Sequence, residues 1–304
     1  WFAVVEGKVS YPKKDDGVID ELTARIWLSR NGLCTMPEIK TPEVKPTEKK
    51  EKTMKVMNNP LIGAVTLPNG ITLNLEQSQA YEAIVNGTGN MLLTGNAGTG
   101  KSFVLNQAIE TMKQHGRSIV VTATTGIAAT HINGKTYHSA LRMFPNKSVD
   151  ELVGIMSNQR FIRGMRSVEL IVIDEISMMH KDDFVKLDLA FRQIFDSTKP
   201  FGGKRFCFVG DFLQIEPVDK ENKAQTNFVF MTETWKNAGV VTHQLKQVVR
   251  QQDSLFAGFL NNVRQGIWTA DMQPIVDTAM SKPKPKSGVV SLVPTNREAD
   301  SINQ

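Results

Sequence analysis

The chain has 304 residues, 40% hydrophobic and 22% charged, a balance that excludes a disordered polymer and leaves room for two or three domains of ordinary size. A formal net charge of +5 suits a solvated surface and a polyanion partner equally well. Two cysteines, Cys34 and Cys207, exclude a disulfide framework and fit a reducing intracellular compartment, and five scattered histidines offer no zinc spacing. No apolar run approaches the roughly 20 residues of a membrane helix, so no membrane partner is expected. The chain opens at Trp1 without an initiator methionine or a signal-like segment and reads as a trimmed piece or a fragment.

In chain order, "WFAVVEGKVSYP" alternates as a strand, and "GVIDELTARIWLS" lines Val18, Ile19, Leu22 and Ile26 on one helical stripe. These predict a small N-terminal module over 1–39. Residues 40–56 carry two prolines and a dense mixed-sign charge run, which predicts a solvated linker. After it, short apolar runs ("NMLLT", "SIVVTA", "ELIVID", "RFCFVG", "VVTHQL", "VVSLVP") alternate with segments of helical periodicity. Near-continuous apolar strands joined through helices predict an α/β fold with a parallel sheet covered on both faces.

Gly95, Asn96, Ala97, Gly98, Thr99, Gly100, Lys101 and Ser102 complete the pattern GxxxxGK[ST] between an apolar strand and an amphipathic helix. Glycines let successive backbone N–H groups converge on one anion, and the helix adds its positive dipole end. Lys101 then reaches the β and γ phosphates and Ser102 ligates Mg²⁺. "LIVIDEISMM" places Asp174 and Glu175 at the carboxyl end of a second strand: Asp174 to hold Mg²⁺, Glu175 to deprotonate the attacking water. Together they predict a nucleoside triphosphatase with ATP and Mg²⁺, and leave open what it moves.

Three more stretches bear on that question. "VTATTGIAATHINGKTYHSAL" follows a strand with small and hydroxyl residues, "FGGKRFCFVGDFLQIEPV" ends a strand with Asp211 and Gln214, and "LKQVVRQQDSLF" presents Arg250. From about Leu73 to Gln304 the sequence resembles the PIF-type (petite integration frequency) DNA helicases, in the RecD and Dda branch of superfamily 1. The resemblance implies a RecA-like P-loop lobe over 57–245, and a hinge and the start of a second RecA-like lobe over 246–304. It implies that Gln77, in "LNLEQSQAYEAIV", reads adenine, and that Thr124, Thr125, Gly126 and His138, in "TATTGIAAT" and "GKTYHSA", grip single-stranded DNA. By the same resemblance Gln214 senses the γ-phosphate and Arg250, in "VVRQ", is an arginine finger. "KLDLAFRQIFDSTKPFGG" is similar to a family signature, and "LVPTNREADSIN" to the opening of the second lobe. The implied activity is an ATP-dependent helicase that moves 5′ to 3′ on single-stranded DNA and DNA junctions. It would act as a monomer in the compartment that holds the DNA, in repair, recombination and replication.

Two positions depart from the family pattern: Ala140 stands where an aromatic residue is common, and Glu216 where a proline is usual. The chain also ends before the later second-lobe motifs. Phe201 and its neighbouring glycines read as a packed turn, Met178 and Met179 as core, and 282–287 as a solvated loop. Two other functions stay open: a P-loop ATPase that remodels proteins, and a lobe that binds nucleotide and DNA with little turnover of its own.

Overall fold

The structure is a computed structural model that describes residues 3–5, 8–10, 63–217, 227–249, 254–281 and 296–303. The strand expected at the amino terminus is a hairpin: β1 (Ala3–Val5) pairs antiparallel with β2 (Lys8–Ser10). The helical stripe at 17–29, the linker and the strand expected at "VVSLVP" lie outside the described residues.

The other apolar runs form one sheet. After helix α1 (Leu75–Asn86) come β3 (Met91–Gly95), α2 (Lys101–Gln114), β4 (Ile119–Ala123), α3 (Gly126–His131), β5 (Lys135–Thr136) and α4 (Tyr137–Ala140). Then follow α5 (Val149–Met156), α6 (Gln159–Arg166), β6 (Leu170–Asp174), α7 (Lys181–Ile194), β7 (Phe206–Val209), α8 (Glu233–Asn237) and β8 (Val241–Leu245). Helices α9 (Ser254–Arg264), α10 (Gln273–Met280) and α11 (Asn296–Asn303) lie beyond it in sequence. The order is β5-β4-β6-β7-β3-β8, and every pairing is parallel.

The two-residue side-chain period of a strand divides the core in two. Leu92, Ile171, Ile173, Phe206 and Phe208 face Phe184, Leu187 and Phe191 of α7. Their neighbours Met91, Leu93, Leu170, Val172, Cys207 and Val209 face Ala80 and Ile84 of α1 and Val104, Leu105 and Ala108 of α2. Each fully buried side chain of this size stabilises the fold by about 1.5–3 kcal/mol relative to its exposed state. Both faces are thus apolar, which is why the strands read as continuous hydrophobic runs.

Helix α1 starts on a capping box in which the Asn74 side chain accepts from the Gln77 N–H and the Gln77 side chain accepts from the Asn74 N–H. Its last carbonyls are met by two arginines: Arg205 donates to Ala83 and Ile84, and Arg117 to Val85. Guanidinium groups at a helix carboxyl end satisfy orphan carbonyls and complement the dipole.

The stretch 186–203 is a lock within the core. The buried Asp188 carboxylate accepts from the Phe201 backbone N–H and from Arg192 Nε, at 3.0 and 2.9 Å for its two oxygens. This holds a turn in which Phe201 has φ 52° and is fully buried, packed on Phe206 with ring centroids 4.6 Å apart. Gly202 follows at φ 61°, and a Cβ there would lie 2.3 Å from the Phe191 carbonyl oxygen. Gly202→Ala combines that clash with a left-handed backbone, so a loss of at least about 2 kcal/mol is expected. Urea denaturation measures it, and an unchanged midpoint would contradict the lock.

Candidate functional site: a phosphate cradle at the carboxyl edge of the sheet

Four loops leave the carboxyl ends of β3, β4, β6 and β7 along one edge of the sheet, the edge where open α/β sheets bind ligands. The loop after β3 is the glycine-rich one. A Cβ on Gly95 would lie 2.3 Å from the Leu245 carbonyl oxygen. Gly100 has φ 92°, and a Cβ there would meet the Gln77 amide at 2.8 Å. Only glycine fits either position. Gly100 also stands at the N-cap of α2 and supplies no capping side chain, so the first-turn N–H groups of a 14-residue helix face the loop for an anion to use.

Lys101 Nζ donates to the Gly95 carbonyl at 2.7 Å and to the Asn96 carbonyl at 3.2 Å. Burial lowers its pKa, while the charges of Asp211, Glu175 and Asp174 oppose that shift. Two strands from separate parts of the sequence thus aim carboxylates at one lysine.

At the end of β6, burial pushes the Asp174 carboxyl up to about 6, with the Glu175 charge adding to the rise; the Glu175 N–H, at 2.9 Å from Oδ1, and Lys101 work against it. Such a buried carboxylate is relieved of its desolvation cost by a divalent cation. The oxygen-only donor set fits Mg²⁺, which takes few protein ligands and keeps water and phosphate oxygens for the rest. Among the described residues no group of three or more His, Cys, Asp or Glu forms a metal cage. Glu175 has φ 54° and ψ 43°, a left-handed conformation that is uncommon for a side-chain-bearing residue and concentrates at functional sites.

The loop after β4 is bound to this acidic pair. Thr124 donates its N–H to the Asp174 carbonyl at 3.1 Å and its hydroxyl to the Glu175 carbonyl at 3.0 Å. Thr125 caps α3, accepting from the Ala128 N–H, and Gly126 has open space where a Cβ would stand. Ile127 beside them is 76% exposed. His138 is half-buried, its ring 3.9 Å from that of Tyr137 and its Nε2 3.8 Å from Asp183. Burial lowers its pKa and the Asp183 charge resists.

After β7, Asp211 is buried and accepts from the Leu213 N–H and from the Gln214 amide, at 3.1 and 3.3 Å. It also receives Arg264 of α9 through both oxygens, at 2.7 and 2.8 Å. Arg264 and Asn261, whose side chain accepts from Asn96 at 2.7 Å, carry no motif and were invisible to sequence reading. Arg250 lies outside the described residues. The cradle residues Ala97, Gly98, Gly100, Lys101 and Ser102 form one wall of a cleft of about 430 Å³ whose other side is lined by Ile71, Thr72, Gln77, Phe103 and Val249. Gln77 faces it with its amide committed, donating to the Thr99 carbonyl at 3.1 Å and accepting from the Asn74 N–H at 3.2 Å.

The sheet order, the cradle and the acidic strand end define a RecA-like P-loop fold. The family model for PIF1-like helicases matches residues 72–271, and the chain belongs to that family. It is 35% identical over 209 residues to the ATP-dependent DNA helicase PIF1 of Danio rerio, a match covering 68% of this chain and 32% of the relative. The crystal structure of the Pif1 helicase from Candida albicans superposes with a TM-score of 0.68 at 32% identity, over 77% of this chain and 54% of that one. The Bacteroides Pif1 helicase in complex with ADP-AlF3 and single-stranded DNA gives 0.63 at 26% identity, over 75% and 55%. The chain therefore spans about a third of the Danio rerio relative's length. Among the described residues no helix is long and apolar enough to cross a membrane.

Proposed function

We propose that this chain carries the nucleotide-binding motor lobe of an ATP-dependent DNA helicase, residues 57–245, followed by the hinge and opening of a second lobe. The single observation that carries the reading is the double hydrogen bond from Thr124 to the backbone of Asp174 and Glu175. It ties the segment that would follow a DNA strand to the groups that would hydrolyse ATP. In this reading the Gly95–Ser102 cradle holds the phosphates, with Lys101 on the β and γ groups, and the cleft beside Gln77 takes the base. Ser102 and Asp174 hold Mg²⁺, which supplies charge neutralisation at the transferring phosphoryl group. Glu175 takes the proton of the attacking water, Gln214 reads the γ-phosphate, and Arg250 reaches it when the lobes close. Thr125, Gly126 and His138 line the path of single-stranded DNA, along which the motor moves 5′ to 3′. The Bacteroides relative crystallised with ADP-AlF3 and single-stranded DNA supports both ligands.

Phosphate release measured with and without oligo(dT) tests this directly. Stimulation by the oligonucleotide is expected; equal rates with nucleotide still bound would favour a protein-remodelling ATPase.

Two further results are expected. Because a proton competes with the cation at Asp174 up to about pH 6, Mg²⁺ affinity in the presence of ADP should be about tenfold weaker at pH 5 than at pH 7.5. Calorimetry in wild type and Asp174→Asn separates this from titration of the nucleotide, since the variant should lose the difference. For single-stranded DNA, log affinity should fall with log salt by about 0.7 per phosphate contacted. Fluorescence anisotropy across a salt series reads the slope, and a flat line would remove the phosphate-contact model.

A further inference from the structure

Helix α9 lies outside the sheet, yet it reaches both phosphate-side loops. Asn261 accepts from the Asn96 side chain inside the cradle, and Arg264, three residues on and thus on the same helical face, clamps Asp211 at the end of β7. Both ties are made by residues whose other bonds or charges a nucleotide would disturb. The Asn96 carbonyl accepts from Lys101 Nζ, and also from the Thr99 hydroxyl at 2.9 Å. A phosphate chain entering the cradle draws Lys101 away from that carbonyl. Asp211 is one of the carboxylates acting on Lys101, and the Arg264 charge is felt there too. Arg264 is only partly exposed, 17%, and the Asp211 side chain 2%, so their pairing is little screened by solvent.

We propose that α9 is a nucleotide-responsive clasp, in which Arg264 and Asn261 act as positioning residues that fix the Gln214 loop and the cradle to one helix. This rests on the proposed nucleotide site. A bound phosphate chain adds negative charge facing Lys101 and Arg264 together, and draws α9 down on the cradle. Because the same arginine holds Asp211, and Asp211 holds the Gln214 amide, the γ-phosphate reader and the helix respond as one unit. An Arg fork grips both carboxylate oxygens in one plane, a geometry that lysine cannot reproduce.

The test is amide hydrogen exchange of the whole chain, followed over 254–264 and 210–217, with and without saturating Mg²⁺ and a non-hydrolysable ATP analogue. In wild type the analogue is expected to slow exchange in both segments by at least about threefold. In Arg264→Ala that ratio should fall to one while calorimetric affinity for the analogue stays within about threefold. A purely structural role would raise exchange equally with and without nucleotide and leave the ratio intact, which would overturn the proposal. Unchanged exchange in a wild type that binds the analogue would overturn it as well. Failure of the wild type to bind the analogue at all would instead remove the nucleotide site on which it depends. Should Arg264→Ala not fold, Arg264→Lys keeps a cation against Asp211 without the fork and is expected to lose at least about half of the slowing; full slowing in that variant would count against the clasp.

Discussion

In Lys101→Ala, ATP turnover should fall below detection and nucleotide affinity should drop by at least about 100-fold. A lost charge-assisted hydrogen bond accounts for about 1.5–3 kcal/mol of this. The surroundings account for the rest. Asp211, Glu175 and Asp174 all act on the Lys101 ammonium, which burial alone would tend to neutralise. Once the ammonium is removed, Asp211 keeps the Arg264 countercharge but Asp174 and Glu175 meet an incoming polyphosphate without the lysine, so repulsion replaces attraction in a poorly screened site. Lys101→Ala also frees the Gly95 and Asn96 carbonyls that accept from the lysine. Titration calorimetry with Mg·ADP provides the measurement. Affinity equal to wild type would mean that the phosphates sit elsewhere, and the cradle assignment would fall with it.

What could be read from sequence follows from how local each signal is. Strands β3, β4, β6 and β7 are legible because burial on both faces makes each a nearly unbroken apolar run, the edge strand β8 is marked by a shorter apolar run of which only Leu245 is fully buried, and the cradle is legible because its backbone demands glycine at fixed spacing. The ends of β6 and β7 followed from polar residues placed directly after such runs. The pairing of Asp211 with Arg264 did not, since 53 residues separate the partners and neither periodicity nor spacing links them. Asn96 was assigned to the nucleotide, but its bond to Asn261 depends on a helix whose docking no local pattern encodes. From sequence the 186–203 stretch is only a family signature. Its physical content is a buried carboxylate holding the left-handed turn at Phe201. Resemblance implies that Thr124 grips DNA, while its hydroxyl donates to the Glu175 carbonyl, a tertiary bond between two strand ends that no local pattern encodes. The loop ahead of α1, where Gly70 at φ 82° turns the chain and Ile71 and Thr72 border the cleft, has no legible strand pattern, because among the described residues its only strand-type pairing is an isolated bridge between Thr66 and Thr72.

Glu175→Gln should separate binding from chemistry. The two side chains have nearly the same volume, and glutamine keeps the backbone N–H that donates to Asp174 and the carbonyl that accepts from Thr124 and from the Met178 N–H. The left-handed backbone at φ 54° is imposed by these bonds and is no harder for glutamine than for glutamate. Removal of the charge lowers the Asp174 pKa and, by the same loss of negative potential, reduces the attraction for a cation, so Mg²⁺ binding should be preserved or slightly weakened. What disappears is the acceptor for the proton of the attacking water. Affinity for Mg·ATP is therefore expected within about threefold of wild type, with single-turnover hydrolysis slower by about 10²–10⁴, the range set by loss of one positioned base. Calorimetry gives the first quantity and quenched-flow phosphate release in a protein that carries both lobes gives the second. A variant that lost nucleotide binding along with turnover would make Glu175 a structural residue. The base would then have to come from another group at this sheet edge, and Asp211, already held in both oxygens by Arg264, is poorly placed to serve.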